Sequence, residues 1–106
     1  IQFSDLTFDL MESLKLLETY GNENPAPLFY SEVEQTWPPK IVGRLHLKMF
    51  FKQENRTLEG IAFGFARRRE ELKKKNLKLL IAFTPHINTF LNKTSIQLQI
   101  REFKIL

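Results

Sequence analysis

The chain contains no cysteine, and this absence removes several classes of protein at once. Without cysteine there is no disulfide framework, no thiolate nucleophile and no cysteine-ligated zinc. No run of 18 apolar residues occurs either, so no segment is long and apolar enough to span a membrane as a helix. No charged-then-apolar signal peptide opens the sequence, and we expect a cytoplasmic protein with no membrane role.

The residue types that carry catalysis are scarce. His46 and His86 are the only histidines, and neither has a carboxylate or a second ligand at the spacing of a metal site. The four glycines are isolated from one another, so no glycine-rich phosphate loop exists. We therefore expect no catalytic residue, no metal ligand and no small-molecule substrate site in this chain.

Charge is divided unevenly along the 106 residues. Residues 1–39 contain one Lys and seven acidic residues, whereas residues 40–106 contain fifteen Lys or Arg and five acidic residues. This basic portion indicates a polyanionic partner, although an ordinary solvated surface has the same composition. The length suits one domain, and ten phenylalanines are enough to build a core. Because the first residue is Ile1, we expect a piece of a longer protein.

Residues 7–18 show the spacing of an amphipathic helix. Apolar side chains recur on one face at Leu10, Met11, Leu14 and Leu17. The segment Gly21–Pro27, with two prolines and two asparagines, cannot continue a helix. Residues 1–27 are therefore predicted to be a helix and loop preceding the main domain, residues 28–106.

From residue 28 onward the pattern is that of strands. The predicted elements are strands at Phe29–Trp37, Arg44–Gln53, Thr57–Phe65, Leu77–Phe83 and Ser95–Ile105, and a charged helix at Arg67–Lys75. Pro38–Pro39 is predicted to end the first strand, and Asn88–Thr94 to be a polar connection. The order β-β-β-α-β-β is that of the OB-fold, so we predict a mainly β protein with a five-stranded OB-fold barrel. A small β-sandwich is the alternative.

The second predicted strand alternates between two kinds of side chain. Leu45, Leu47, Met49 and Phe51 are predicted to face inward, and Arg44, His46, Lys48, Phe50 and Lys52 outward. Cations that follow phosphates, with a ring that stacks on bases, suit a protein that binds single strands. Gln97 and Arg101 would extend this surface on the last strand. A solvated sheet face remains open, and Trp37, before two prolines, is predicted to pack rather than stack.

Four stretches resemble one known family. The segment Leu17–Phe29 resembles the Leu-Glu-Pro-Phe-Gly-x-Gly-Asn-Pro-x-Pro-x-Phe segment of the RecJ single-stranded-DNA exonucleases, with Thr19 and Glu23 replacing a proline and a glycine. Gly43–Lys48 resembles the Gly-x-x-His-Leu-Lys motif of that family, and Ile61–Gly64 its next strand. Asn88, followed by Ile96-Gln97-Leu98, is similar to its closing pattern.

This resemblance implies an OB-fold domain that follows the catalytic core of a bacterial 5′-to-3′ exonuclease of DNA repair and recombination. The metal-binding residues of that family lie in an upstream DHH phosphoesterase core, where manganese or magnesium is expected. The domain would then bind single-stranded DNA for a hydrolase whose catalytic residues lie elsewhere. Its partners would be the DNA strand and the upstream domain.

Two sets of residues follow from these interpretations. The predicted nucleic-acid contacts are Arg44, His46, Lys48, Phe50, Lys52, Phe90, Gln97 and Arg101, with Phe50 or Phe90 stacking on bases. The predicted contacts with the upstream domain are Leu10, Leu14, Leu17, Tyr20, Gly21, Asn24 and Pro25. Two other functions remain open: an architectural or protein-binding OB module without nucleic acid, and an RNA-binding OB domain.

Overall fold

The helices and strands follow one another in the order that the sequence predicts. The helix α1 spans Phe8–Tyr20, and the strands are β1 (Phe29–Val42), β2 (His46–Gln53), β3 (Arg56–Ala62), β4 (Leu77–Phe90) and β5 (Lys93–Ile105). Short 3-10 helices lie at Phe3–Asp5 and at Ala66–Leu72, the latter between β3 and β4. This computed structural model describes residues 1–20 and 27–106, with side chains in α1 as far as Leu16.

The five strands close into a barrel in the order β1-β2-β3-β5-β4, with β4 returning to β1. The β3–β5 pair is parallel, and the other neighbouring pairs are antiparallel. A closed five-stranded barrel with a helical connection between its third and fourth strands confirms the predicted OB-fold.

Alternating side chains fill the barrel as predicted, with one exception. The buried positions are Leu47, Met49 and Phe51 on β2, Leu79, Ile81 and Phe83 on β4, and Ile96, Leu98 and Ile100 on β5. Leu45, which was also predicted to face inward, is 64% exposed. It lies in the β1–β2 turn, where Gly43 and Arg44 have φ values of 58° and 67°, so it precedes the alternating part of β2.

Gly60 on β3 is a position where the barrel wall leaves no room for a side chain. A Cβ atom there would lie 2.8 Å from the ring of Phe51 and 3.0 Å from Cγ1 of Ile100. Both neighbours are buried and cannot swing away into solvent.

We therefore expect Gly60→Ala to lower the free energy of unfolding by about 1–3 kcal/mol, measured by urea denaturation. The cost should shrink in a Phe51→Leu background, because the ring edge that meets the new methyl group is gone. Equal costs in the two backgrounds would show that this contact is not the cause.

Strand β1 is longer than predicted because it passes through Pro38–Pro39 instead of ending there. Its pairing with β2 shifts by one residue between Gln35 and Trp37, and shifts again between Trp37 and Lys40. Each shift is a β-bulge, an irregularity at which a strand tolerates proline and reverses the direction of the following side chains.

The first residues of the chain close one end of the barrel. Phe3 and Leu6 are each 1% exposed, and the ring of Phe3 meets that of Phe83 edge-on, with centroids 6.5 Å apart. Arg56 on β3 holds this segment, since its guanidinium donates hydrogen bonds to the carbonyl oxygens of Phe3 and of Leu6. Thr7 then caps α1 by accepting a hydrogen bond from the N–H of Leu10 at 3.1 Å.

The charged connection between β3 and β4 is shorter than the predicted helix Arg67–Lys75, and it is a 3-10 helix. Because a 3-10 helix has three residues per turn, its ion pairs join residues that are three positions apart, Arg68 with Glu71 and Glu70 with Lys73. In an α-helix the favoured spacing would be four. Arg68 also pairs with Glu102 and covers the ring of Phe103, 4.0 Å from its centroid. The pKa of the Glu102 carboxyl is lowered, first by the hydrogen bond that the N–H of Phe103 donates to it and second by the hydrogen bond from Arg68.

Strands β4 and β5 form a long hairpin that continues past the barrel wall. Residues 88–94, predicted as a polar connection, are instead mostly paired strand, from Asn88 opposite Ser95 to Phe90 opposite Lys93. The turn consists of Leu91 and Asn92, whose φ values of 50° and 63° are typical of a two-residue type I′ turn.

Candidate nucleic-acid interface

The outward side of β2 carries the residues predicted for it. Because Leu47, Met49 and Phe51 point into the barrel, His46, Lys48, Phe50 and Lys52 point away from it. Arg44 lies just before the strand, exposed in the β1–β2 turn. The structure therefore brings Arg44, His46, Lys48 and Phe50 to one edge and face of the barrel, with Lys52 further along the same strand.

His46 is held in place by its neighbours. The N–H of Gly64 donates to Nδ1 of His46 at 2.9 Å, and the imidazole meets the ring of Phe63 edge-on, with centroids 5.1 Å apart. Since Nδ1 accepts this bond, Nε2 is the nitrogen that can donate to a ligand. The geometry suits a hydrogen bond to a phosphate oxygen or to a base.

A pair of aromatic side chains, one exposed and one half-buried, lies on this face. Trp37 of β1 is directly opposite Phe50 of β2, and Trp37 is 51% exposed. We call these two residues the aromatic platform. Lys75 Nζ lies 3.8 Å from the ring centroid of Trp37, and Lys40 Nζ lies 5.8 Å from that of Phe50. Each ammonium group covers one face of its ring in a cation–π contact, and a base that stacks on that face would displace the ammonium group toward the phosphates.

The prediction that Trp37 packs against the body of the protein is wrong, and the first β-bulge explains why. Ser31, Val33 and Gln35 are buried on alternate positions, so an unbroken strand would also bury residue 37. The extra residue between Gln35 and Trp37 reverses this alternation and turns the indole outward. The adjacent prolines were the signal in the sequence that pointed to an irregular strand.

The second bulge places Lys40 directly opposite Lys48, and we call these residues the lysine pair. Like charges at opposite positions of a sheet are destabilising, so this arrangement favours an anionic ligand. One neighbour offsets part of the charge, since Lys48 Nζ lies 3.4 Å from a carboxylate oxygen of Glu59 on β3. Both side chains of that ion pair are substantially exposed, so the pair contributes little to stability.

The remaining predicted contacts are dispersed. Lys52 is exposed toward the end of β2, opposite Glu34. Gln97 on β5 lies beside Glu59 on β3 and therefore adjoins the face. Arg101 does not adjoin it: its Nε lies 3.4 Å from Oγ1 of Thr84, and it lines a different groove with Tyr30.

Phe90 lies at the tip of the β4–β5 hairpin and is 70% exposed, next to Leu91, which is 79% exposed. Within the described residues, the ring of Phe90 makes no contact with the rings of the aromatic platform. The structure thus separates the two predicted stacking residues, one on the barrel face and one on the hairpin.

The structure describes only some of the residues predicted to contact an upstream domain. Leu10 and Leu14 are half-buried and pack against the core of this domain, together with the buried Met11. Gly21, Asn24 and Pro25 lie outside the described residues, as do the side chains of Leu17 and Tyr20. Contact with an upstream domain stays a prediction.

The described part of the chain lacks a metal-binding cluster and a membrane-spanning helix. Residues 1–20 and 27–106 contain no group of three or more His, Cys, Asp or Glu side chains that could hold a metal ion. Within the same ranges, every helix is too short or too polar to cross a membrane.

Comparison with solved structures shows the fold. The mitochondrial single-stranded DNA binding protein Rim1 of S. cerevisiae superposes with a TM-score of 0.60 and 11% identity, over 77% of this chain and 95% of Rim1. The SSB domain of a Synechococcus protein gives 0.61 and 10%, over 76% and 97%. An aspartyl-tRNA synthetase of Leishmania major gives 0.59 and 9%, over 76% of this chain but 17% of the synthetase. Such low identities indicate a shared fold only.

Sequence comparisons define the family. A search of curated proteins gives no match to this chain. The family model described as the RecJ OB domain matches residues 1–102, from the segment that closes the barrel almost to the end of β5. The chain therefore belongs to the RecJ OB domain family.

Proposed function

We propose that this domain binds single-stranded DNA for a RecJ-like 5′-to-3′ exonuclease. The observation that carries the proposal is the aromatic platform, Trp37 and Phe50, with a lysine ammonium group over each ring. Exposed rings stack on unpaired bases of any sequence, and the nearby cations contact the phosphates between those bases. In a duplex the faces of the bases are already stacked, so such a platform favours single strands.

The position of the platform agrees with this role. It lies on β1 and β2, next to the face of strands β2 and β3 that OB-folds use for oligonucleotides. The lysine pair extends the same face toward the β1–β2 turn with Arg44. The membership of the RecJ OB domain family and the likeness to Rim1, which is named as a single-stranded DNA binding protein, both support the proposal.

In this proposal hydrolysis belongs to an upstream DHH phosphoesterase core of the same protein, with its manganese or magnesium. The present domain would grip the strand and direct it toward that core in the cytoplasm of a bacterium, during DNA repair and recombination. Leu16 and Phe8 of α1, both at least half-exposed, offer apolar surface for contact with that core.

Charge-removing variants test the proposal through the salt dependence of binding. We expect Arg44→Ala and Lys48→Ala to weaken binding of a labelled mixed-sequence single strand, measured by fluorescence anisotropy. Each should also reduce the slope of log K against log salt concentration by about 0.7, the contribution of one phosphate contact on single strands. Lys48→Ala should weaken binding more, because Glu59 is then left without its cation.

Lys104→Ala is the matched control, since Lys104 is exposed on β5 and lines the groove that contains Tyr30. It should leave the slope of the salt dependence unchanged. Equal slopes for all three variants and the parent domain would contradict the proposed face. Tighter binding of a matched RNA strand than of DNA would favour an RNA-binding domain instead.

A further inference from the structure

A cavity of about 580 Å³ opens beside the aromatic platform. Its lining includes Phe50 of β2, Glu59 of β3, Gln97 of β5 and Asn88 of the hairpin. This volume is in the range of sites that hold small organic molecules. The cavity is therefore large enough for the base of a bound nucleotide.

Three of these residues form one row across three strands. Phe50 is directly opposite Glu59, and Glu59 is directly beside Gln97. Neighbouring strands lie about 4.8 Å apart, so each side chain in the row is within reach of the next. A base stacked on the ring of Phe50 would present its polar edge to the carboxylate and the amide.

Glu59 is out of place on a surface that only follows phosphates, because its carboxylate repels them. It is also exposed, so no buried hydrogen bond within the fold explains its presence. One of its oxygens lies 3.4 Å from Lys48 Nζ, and within the described residues no hydrogen bond or ion pair is made by the second. An ionised carboxylate only accepts hydrogen bonds.

Bases differ in what they offer such an acceptor. Cytosine and adenine carry an exocyclic amino group on their polar edge, and guanine carries one as well, whereas thymine presents a carbonyl oxygen at the corresponding position. A carboxylate accepts from the amino group, whereas thymine offers it only the ring N3–H, which lies between two carbonyl oxygens that repel the carboxylate. The chemistry of the row therefore distinguishes these bases from thymine.

We propose that Phe50, Glu59 and Gln97 form a nucleobase pocket that selects bases with an exocyclic amino group and disfavours thymine. The proposal rests on the proposed single-stranded DNA binding. In this pocket Phe50 supplies the stacking surface, Glu59 accepts from the amino group, and the Gln97 amide bonds an adjacent ring nitrogen or carbonyl. Lys48 holds the carboxylate and contacts the phosphate.

The test compares labelled oligonucleotides of cytosine and of thymine of equal length, by fluorescence anisotropy at fixed salt. The domain should bind the cytosine strand about fivefold or more tightly than the thymine strand, the lower end of the range for one good base contact. Glu59→Gln should reduce this ratio by about threefold or more, because its amide can also donate to a thymine carbonyl.

Glu32→Gln is the matched control, because Glu32 is exposed on β1 and lies opposite Leu80 rather than on this face. It removes the same charge and should preserve the ratio between the two strands. If Glu59→Gln changes the affinity for the cytosine and thymine strands equally, the ratio between them is unchanged and the proposed pocket is wrong. Glu59 would then only position Lys48. If neither strand binds the parent domain, the proposed function itself fails.

Discussion

Replacing Trp37 and Phe50 with alanine is expected to weaken binding of single-stranded DNA about 100-fold. Each ring stacked on a base contributes about 1–3 kcal/mol. Tenfold for each replacement lies near the lower end of that range, and two such contributions give about 100-fold if they add. Trp37→Ala should leave the fold intact, since half of its surface is already exposed. Fluorescence anisotropy with a mixed-sequence strand measures the affinities.

Two further variants separate stacking from folding. Phe50 is half-buried, so Phe50→Leu keeps apolar volume in the barrel wall while removing the ring, and it should lose nearly as much affinity as Phe50→Ala. Tyr30→Ala is the matched control, because Tyr30 is 57% exposed on β1 opposite Ala82, on a surface without the lysine pair. Equal losses for Tyr30→Ala and Trp37→Ala would count against the aromatic platform.

Phe3→Ala should lower the free energy of unfolding by about 3–5 kcal/mol. Phe3 is 1% exposed and its ring packs against Phe83 inside the end of the barrel, so truncation leaves a cavity in the core. A loss of this size is a large part of the total stability of a domain, typically about 5–15 kcal/mol. Urea denaturation followed by circular dichroism gives the difference.

Phe8→Ala provides the comparison for that measurement. Phe8 lies five residues further along but is 50% exposed, and its truncation should cost well under half as much. If Phe3→Ala costs no more than Phe8→Ala, the first residues of the chain do not fold as part of the barrel. A larger cost for Phe3→Ala than for Phe8→Ala would show that residues 1–6 fold together with the barrel. The loop composition, by contrast, predicts a domain that begins only at residue 28.

The parts of the fold that the sequence predicts are those governed by simple alternation. On β2 the residues Leu47, Met49 and Phe51 are apolar at every second position, and the structure buries all three. The same holds for Ile96, Leu98 and Ile100 on β5. Where one face of a strand is buried, this period also determines which residues point outward, so Lys48 and Phe50 could be placed on the surface without coordinates.

The parts that the sequence does not predict depend on irregular backbone. The two bulges in β1 are not visible in the period-two pattern, yet they alone bring Trp37 opposite Phe50 and Lys40 opposite Lys48. Lys75 follows a 3-10 helix rather than ending an α-helix, and this places its ammonium group over Trp37. Trp37, Lys40 and Lys75 therefore belong to the candidate interface, although sequence reasoning did not place them there.

Arg101 and Phe90 show the opposite case, in which residues predicted for one surface lie on separate parts of the barrel. Both side chains are exposed, as expected for an outward position on the last strand and for a residue of the predicted connection 88–94. A barrel has an outward surface all the way round, however, and alternation does not say which part of it a residue occupies. Only the pairing of strands shows that Arg101 adjoins Thr84 and that Phe90 lies at a hairpin tip.

The intrinsic fluorescence of Trp37 tests the central claim most directly, because it is the only tryptophan in the chain and belongs to the aromatic platform. The domain would be titrated with an unlabelled single strand while its emission is recorded, and binding would be followed in parallel by anisotropy of a labelled strand. Bases stacked on the indole should quench the emission over the same concentration range in which the strand binds. Binding by anisotropy without any change in Trp37 emission would contradict the account, since the strand would then occupy another surface.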